Sequence, residues 1–193
     1  LGRQNAASKV LEGTLHLKGS MAGTGWGPEA WGKSLTGQGE LTLTNGKFQT
    51  FDPEDALSVI GPFENLEKIV PSLKDFNTMN FQWKIAEGKA TTDNLLVKSK
   101  DYIMNGEGTL GFDGLANFRM DVFLPSSLAA KLFPEMSKPF KKNPQAHMGP
   151  IPTLLSGTLL EPDVKPNPAQ VGELTEKIRK GKAKDLLCEL VTE

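Results

Sequence analysis

The chain has 193 residues, 38% of them hydrophobic and 20 of them glycine, enough for one domain with a real core or one domain and a tail. With 22 Lys and Arg against 23 Asp and Glu, the net charge of −1 gives no electrostatic reason to expect nucleic acid or an anionic membrane surface as partner. The lone Cys188 excludes an internal disulfide, and no segment approaches the roughly 18 apolar residues of a membrane span.

The opening "LGRQNAASKV" has neither an initiator Met nor the apolar core of a signal peptide, and reads as a fragment of a longer protein. In residues 10–20, Leu15 and Leu17 alternate with polar neighbours, which predicts a half-buried strand. "MAGTGWGPEAWGKS", residues 21–34, is Gly-rich with two tryptophans and reads as a loop over the sheet. Residues 35–51 read as a hairpin turning at Asn45–Gly46, which would pair Leu43 with Phe48 and Leu41 with Thr50. A short helix follows to Gly61–Pro62, with Asp52 as cap, Pro53 in its first turn and Asp55 near its positive end. A second is expected near 63–70.

Residues 76–86, "FNTMNFQWKIA", carry the clearest period of two: Met79, Phe81, Trp83 and Ile85 on one face, Asn80, Gln82 and Lys84 on the other. Glu87–Gly88 turns this into a strand near 89–99, and Lys100–Asp101 turns that into 102–112. Register decides the next connection. A two-residue turn at Asp113–Gly114 would split Met104 and Leu110 from Phe118, Met120 and Val122; a three-residue loop, 113–115, pairs Leu110 with Phe118 and keeps them on one face.

Pro125 ends that strand, and Ser126 or Ser127 can cap a helix near 127–133. Residues 134–149 read as loop, 153–160 as a last strand, and Asn167, Pro168 and Gln170 as a helix start. Val171, Leu174 and Ile178 recur at helical spacing, as do Leu186, Leu187, Leu190 and Val191, with Gly181 able to divide them. The sum is an α+β, mainly β chain: a curved antiparallel sheet of about seven or eight strands, with short covering helices and a C-terminal helix. The expected division is a β-rich domain over 1–168 and a helical segment over 169–193.

Candidate chemistry is sparse. His16 and His147 are the only histidines and neither has Cys, Asp or Glu at ligand spacing, so no metal, cofactor or catalytic residue is assigned. Helix capping accounts for Asp52, Glu54 and Asp55, and Cys188 reads as a small buried hydrophobe among helical positions. "GEGTLG", 106–111, falls inside a strand instead of between strand and helix; its glycines suit close backbone approach or a bend in the sheet, not phosphate. What remains is the apolar face. Met79, Phe81, Trp83, Ile85, Met104, Leu110, Phe118, Met120 and Val122 form either a core under the helices or an open groove for acyl chains.

Three passages in order, "LTGQGELTLTNGKFQTFDPEDAL", the meander from 76 to 124, and "IPTLLSGTLLEPDVKPN", resemble the C-terminal region of the AsmA family of Gram-negative envelope proteins over roughly 35–168. The resemblance implies a non-enzymatic periplasmic module held at the inner membrane through a segment outside this sequence, preceded by a β-rich region. It further implies a part in outer-membrane biogenesis by carrying lipid along an apolar groove. Two other readings compete: a glycan- or polymer-binding module stacking on Trp26, Trp31 and Tyr102, and a structural cap of a longer sheet.

Overall fold

The computed structural model describes residues 10–50, 57, 73–134 and 137–188. The fold is α+β and mainly β: an open antiparallel sheet in which each strand pairs with the next along the chain. The strands are β1 (Leu11–Ala22), β2 (Thr36–Phe48), β3 (Asp75–Ala86), β4 (Lys89–Lys98), β5 (Ile103–Gly111), β6 (Leu115–Pro125), β7 (His147–Thr158) and β8 (Pro162–Pro166). A ninth, β9 (Leu187–Cys188), pairs with β7. Among the described residues the sheet is accompanied by α1 (Pro28–Ser34), α2 (Ser126–Leu132), α3 (Ser137–Lys142) and α4 (Pro168–Arg179).

The Asn45–Gly46 hairpin is not formed. β2 runs straight through it, and Leu43 and Phe48 lie on one strand instead of facing each other across a turn. Asn45, at φ 51°, sits in a β-bulge: it and Gly46 lie between Thr44 and Lys47, whose partners in β1 are Thr14 and Glu12 with only Gly13 between. A residue pair that tolerates positive φ serves a turn or a bulge equally well; here β1 already supplies the partner that a returning strand would have been. The bulge also shifts the parity of buried positions, from odd-numbered Leu43 to even-numbered Phe48. The two-residue turn with both residues at positive φ is Glu87–Gly88, joining β3 to β4.

The three-residue connection of β5 to β6 exists one pair earlier than expected. Leu110 faces Ala116, not Phe118, and the loop is 112–114, with Gly114 at φ 88° and Asp113 Oδ1 accepting from the Leu115 N–H at 3.0 Å. Even residues still face even residues, so the apolar set stays together.

β1 is not half-buried. It is an outer strand with Leu15 and Leu17 54% and 58% exposed. Residues 21–34 are not a loop over the sheet: they finish β1 and form α1, leaving both tryptophans exposed. The helices expected over 52–60 and 63–70 lie outside the described residues, except that Leu57 is helical and buried in the core.

α2 starts at Ser126 with Pro125 in the cap position and no side-chain cap, so neither serine has the role expected of it. The segment 134–149 contains α3 and the start of β7, six residues before the strand expected at 153. Asn167 does cap α4, its Oδ1 accepting from the Ala169 N–H at 3.2 Å. After Gly181, at φ 65°, the chain makes a 3-10 turn (Ala183–Leu186) and then β9 in place of the expected second helical stretch; Leu190 and Val191 of that expectation lie outside the described residues. Cys188 is therefore a half-buried strand residue, its thiol donating to the Gly149 carbonyl at 3.1 Å.

The core lies where α2 and α3 pack near the junction of β6 and β7. Leu124, Leu128, Leu132, Phe140, Met148 and Ile151 are buried there, and Leu174 of α4 and Leu186 join the same cluster.

Candidate functional site

The register sets the nine candidate residues on one face. Residues directly opposite in a ladder share a face. One row runs Leu43, Met79, Val97, Met104, Val122, Ile151 across β2 to β7. A second runs Gly37, Ile85, Ala90, Leu110, Ala116, Gly157. Between them, Leu41 faces Phe81, Gly39 faces Trp83, and Gly108, Phe118 and Leu155 form a row. The other face is polar, with Lys18 paired to Glu40 at 3.7 Å and Arg119 to Glu107 at 3.8 Å.

The apolar face divides along the strands. Val122 and Ile151 are buried in the core cluster that includes Leu128, Leu132 and Phe140 of the helices, and Met104 is buried between that cluster and the groove. Phe81, Leu110 and Phe118 are only half-buried, and they bound a groove of about 230 Å³ with almost wholly apolar walls. Met79, Trp83, Met104 and Met120 complete its floor from the candidate set, while Ile85 and Val122 do not line it. Residues missed by the sequence reading also contribute: Val10 and Leu11 where β1 begins, Phe48 and Thr50 where β2 ends, and Leu155, Leu159 and Pro162 from the β7–β8 region. Curvature brings these distant parts together. Thr50 Oγ1 donates to the Leu159 carbonyl at 2.7 Å, tying the end of β2 to the β7–β8 connection. Apolar periodicity marked the face but carried no signal for how far the sheet curls.

Glycines opposite aromatics shape the walls. Trp83 lies on the bare backbone of Gly39 and, one strand further, Gly19: a Cβ at either would stand 2.5 or 2.6 Å from Cζ2 of the indole. Phe118 lies likewise on Gly108, where a Cβ would meet its Cδ1 at 2.5 Å. Phe76 covers Gly46 and meets Phe48 at a ring-centroid distance of 4.8 Å. A ring lying down over glycine covers exposed backbone and keeps its edge out of the space above the sheet. Close backbone approach was the expected role of the 106–111 glycines, and Gly108 has it. The Trp83 indole N–H is buried without a hydrogen-bond partner, the one such polar side chain of the described residues in the groove wall.

Two larger depressions, of about 680 and 660 Å³, open on the polar face among residues such as Asn105, Glu107 and Arg119, and Lys18, Glu40 and Gln82. Water solvates such side chains well, so size there carries no driving force for an apolar ligand. Among the described residues no three His, Cys, Asp or Glu side chains gather as a metal site, and no helix is long and apolar enough to cross a membrane. His147 lies in β7, not in a loop, and burial lowers its imidazole below the ordinary value. Tyr102 is 1% exposed, which removes it as a stacking platform; burial first, then Asp75 and Asp101, push its phenol far above the usual range. No family model, curated protein or solved structure matches the chain.

Proposed function

We propose that this chain is a non-enzymatic lipid-handling module of AsmA type, acting in the periplasm as part of an inner-membrane-anchored protein of outer-membrane biogenesis, and that its groove holds acyl chains. The observation that carries the reading is the division of one continuous apolar face: part of it joins the helices in the core and part of it lines an apolar groove. A purely structural cap would have no need of this opening. The resemblance of 35–168 to the family supplies the cellular setting.

The groove's size sets what it can do. At 230 Å³ it exceeds the roughly 150 Å³ of an apolar cavity that takes up benzene, and it holds a segment of roughly eight methylenes, not a whole phospholipid. At about 0.8 kcal/mol per methylene the gross gain is about 6 kcal/mol, and immobilising the chain subtracts several. The gross figure alone corresponds to a Kd of about 40 μM, so the net affinity is weaker than that, which suits a chain in transit.

Titration with a fluorescent fatty acid, together with mass spectrometry of organic extracts, tests this. Wild-type protein should bind the probe saturably, and Leu110→Glu, which places a charge at the half-buried wall, should weaken binding at least tenfold with the fold retained by circular dichroism. Lipid-free extracts with no saturable probe binding, or a Leu110→Glu variant that binds like wild type, would remove the reading.

A further inference from the structure

Apart from Leu15 and Leu17, the strongly exposed large apolar side chains of the described residues fall at one end of the sheet. Met21, Trp26 and Trp31 stand at the β1–β2 connection, Phe112 and Leu115 at the β5–β6 turn, and Leu160 at the β7–β8 turn. These turns follow one another along one edge, or rim, of the sheet, and Thr50 ties the last of them to the far end of β2. Gly32 of α1 reaches the β3–β4 turn, where a Cβ at Gly88 would stand 3.0 Å from its carbonyl oxygen. The Phe112 N–H donates to the Gly88 carbonyl at 2.8 Å, and Leu115 pairs with Thr158. The opposite end of the sheet carries α2 and α3.

We infer that this rim seats the module on the surface of a zwitterionic lipid bilayer, with Trp26 and Trp31 entering the interfacial layer. The inference rests on the lipid-handling reading, since the rim is continuous with the groove: Leu110 and Leu159 belong to its wall and precede Phe112 and Leu160 by two residues and one. Three features select a bilayer. The apolar tips sit on separate turns with charged residues between them, whereas a protein interface needs a contiguous packed centre; a fluid phase accommodates separate tips. Tryptophan is the side chain enriched at membrane–water interfaces, and Trp26 is 97% exposed, an expensive position in water. The same turns carry Glu29, Glu87, Asp113 and Glu161 against Lys33 and Lys89, an acidic excess that gives no attraction to anionic headgroups.

Flotation with phosphatidylcholine vesicles and tryptophan emission test the inference. Trp83 is already buried, so a blue shift on adding vesicles reports Trp26 and Trp31. The chain should float with the vesicles, show the shift, and keep both in 0.5 M salt on the order of Debye lengths under 5 Å. Trp26→Ser with Trp31→Ser should lower partitioning by about a hundredfold, roughly tenfold for each ring removed, while saturable fatty-acid binding stays at the wild-type level. The inference is overturned if wild-type protein neither floats nor shifts at millimolar lipid, if the double variant partitions like wild type, if binding requires anionic lipid and vanishes in salt, or if a soluble glycan shifts the emission and lipid does not. Flotation without fatty-acid binding would remove the groove reading and leave the rim; fatty-acid binding without flotation would do the reverse.

Discussion

Replacing Gly39 with alanine tests whether the groove wall depends on bare backbone beneath an aromatic ring. The added Cβ would overlap the Lys18 carbonyl oxygen and stand 2.5 Å from Trp83 Cζ2, where carbon atoms rest at about 3.5–4.0 Å. Either the indole lifts by about 1 Å or more, or β1 separates from β2. A buried tryptophan covers about 150–250 Å², and losing a third to a half of that costs about 2 kcal/mol at about 25 cal/mol per Å². Strain from overpacking adds about 1 kcal/mol or more, so the total is about 2–4 kcal/mol, a large part of a typical domain's stability. In urea, with a slope of about 2 kcal/mol per molar, the midpoint should fall by about 1–2 M. Gly172, exposed in the middle of α4 with nothing within 4 Å of an added Cβ, is the control: Gly172→Ala should raise the midpoint by a few tenths molar. Combining Gly39→Ala with Trp83→Ala should cost less than the sum of the two by about 1 kcal/mol, because the ring and the new methyl compete for one space. A Gly39→Ala midpoint equal to wild type, or strict additivity in the double variant, would refute the reasoning.

Two further outcomes are expected. Burial holds the His147 imidazole below its ordinary 6.5, so on acidification the unfolded chain takes up the proton first; stability is kept above that value and lost as pH falls below it. Asp121, whose carboxyl burial pushes up, works in the opposite sense at lower pH, so a His147→Gln variant should lose part of the fall in urea midpoint between about pH 7.5 and 5. An unchanged difference would exclude His147 as its source. Asn45, at φ 51° in the β2 bulge, should tolerate glycine but lose about 1–2 kcal/mol on replacement by valine, read as a lower melting temperature; equal melting of the two variants would contradict the bulge.

Short-range signals in the chain were legible and long-range ones were not. The period of two in β3, the Glu87–Gly88 turn, the Asn167 cap and the even-with-even parity of β5 and β6 each depend on a few neighbouring residues, and each is present. Asn45–Gly46 misled because positive φ is a local property, whereas turn or bulge is decided by β1, some 30 residues away. The one-pair displacement of the β5–β6 loop preserves every face, so burial patterning could not detect it. β9 was invisible for a related reason: Leu186 and Leu187 suit a helix as well as an end that pairs with β7. The nine apolar residues were correctly placed on one face, yet alternation alone could not tell Val122, deep in the core, from Phe118, in the groove wall.

That last distinction comes from the cover and from the glycines. A sheet with one apolar face buries it wherever another layer is available, and here α2 contacts β6 and β7 and shares one core cluster with Met104, Val122 and Ile151. Around the groove, large aromatics standing upright would fill the space. Gly39 and Gly108 let Trp83 and Phe118 lie flat instead, so these rings contribute apolar surface without closing the cavity. The groove is thus a consequence of which residues face the aromatics across the ladder, and filling those positions should convert it into core or break the sheet. In that light the isolated Trp83 N–H has a physical reason: the indole's position is dictated by the glycine bed beneath it, and leaving one donor unpaired, at about 1–3 kcal/mol, is tolerated for that placement.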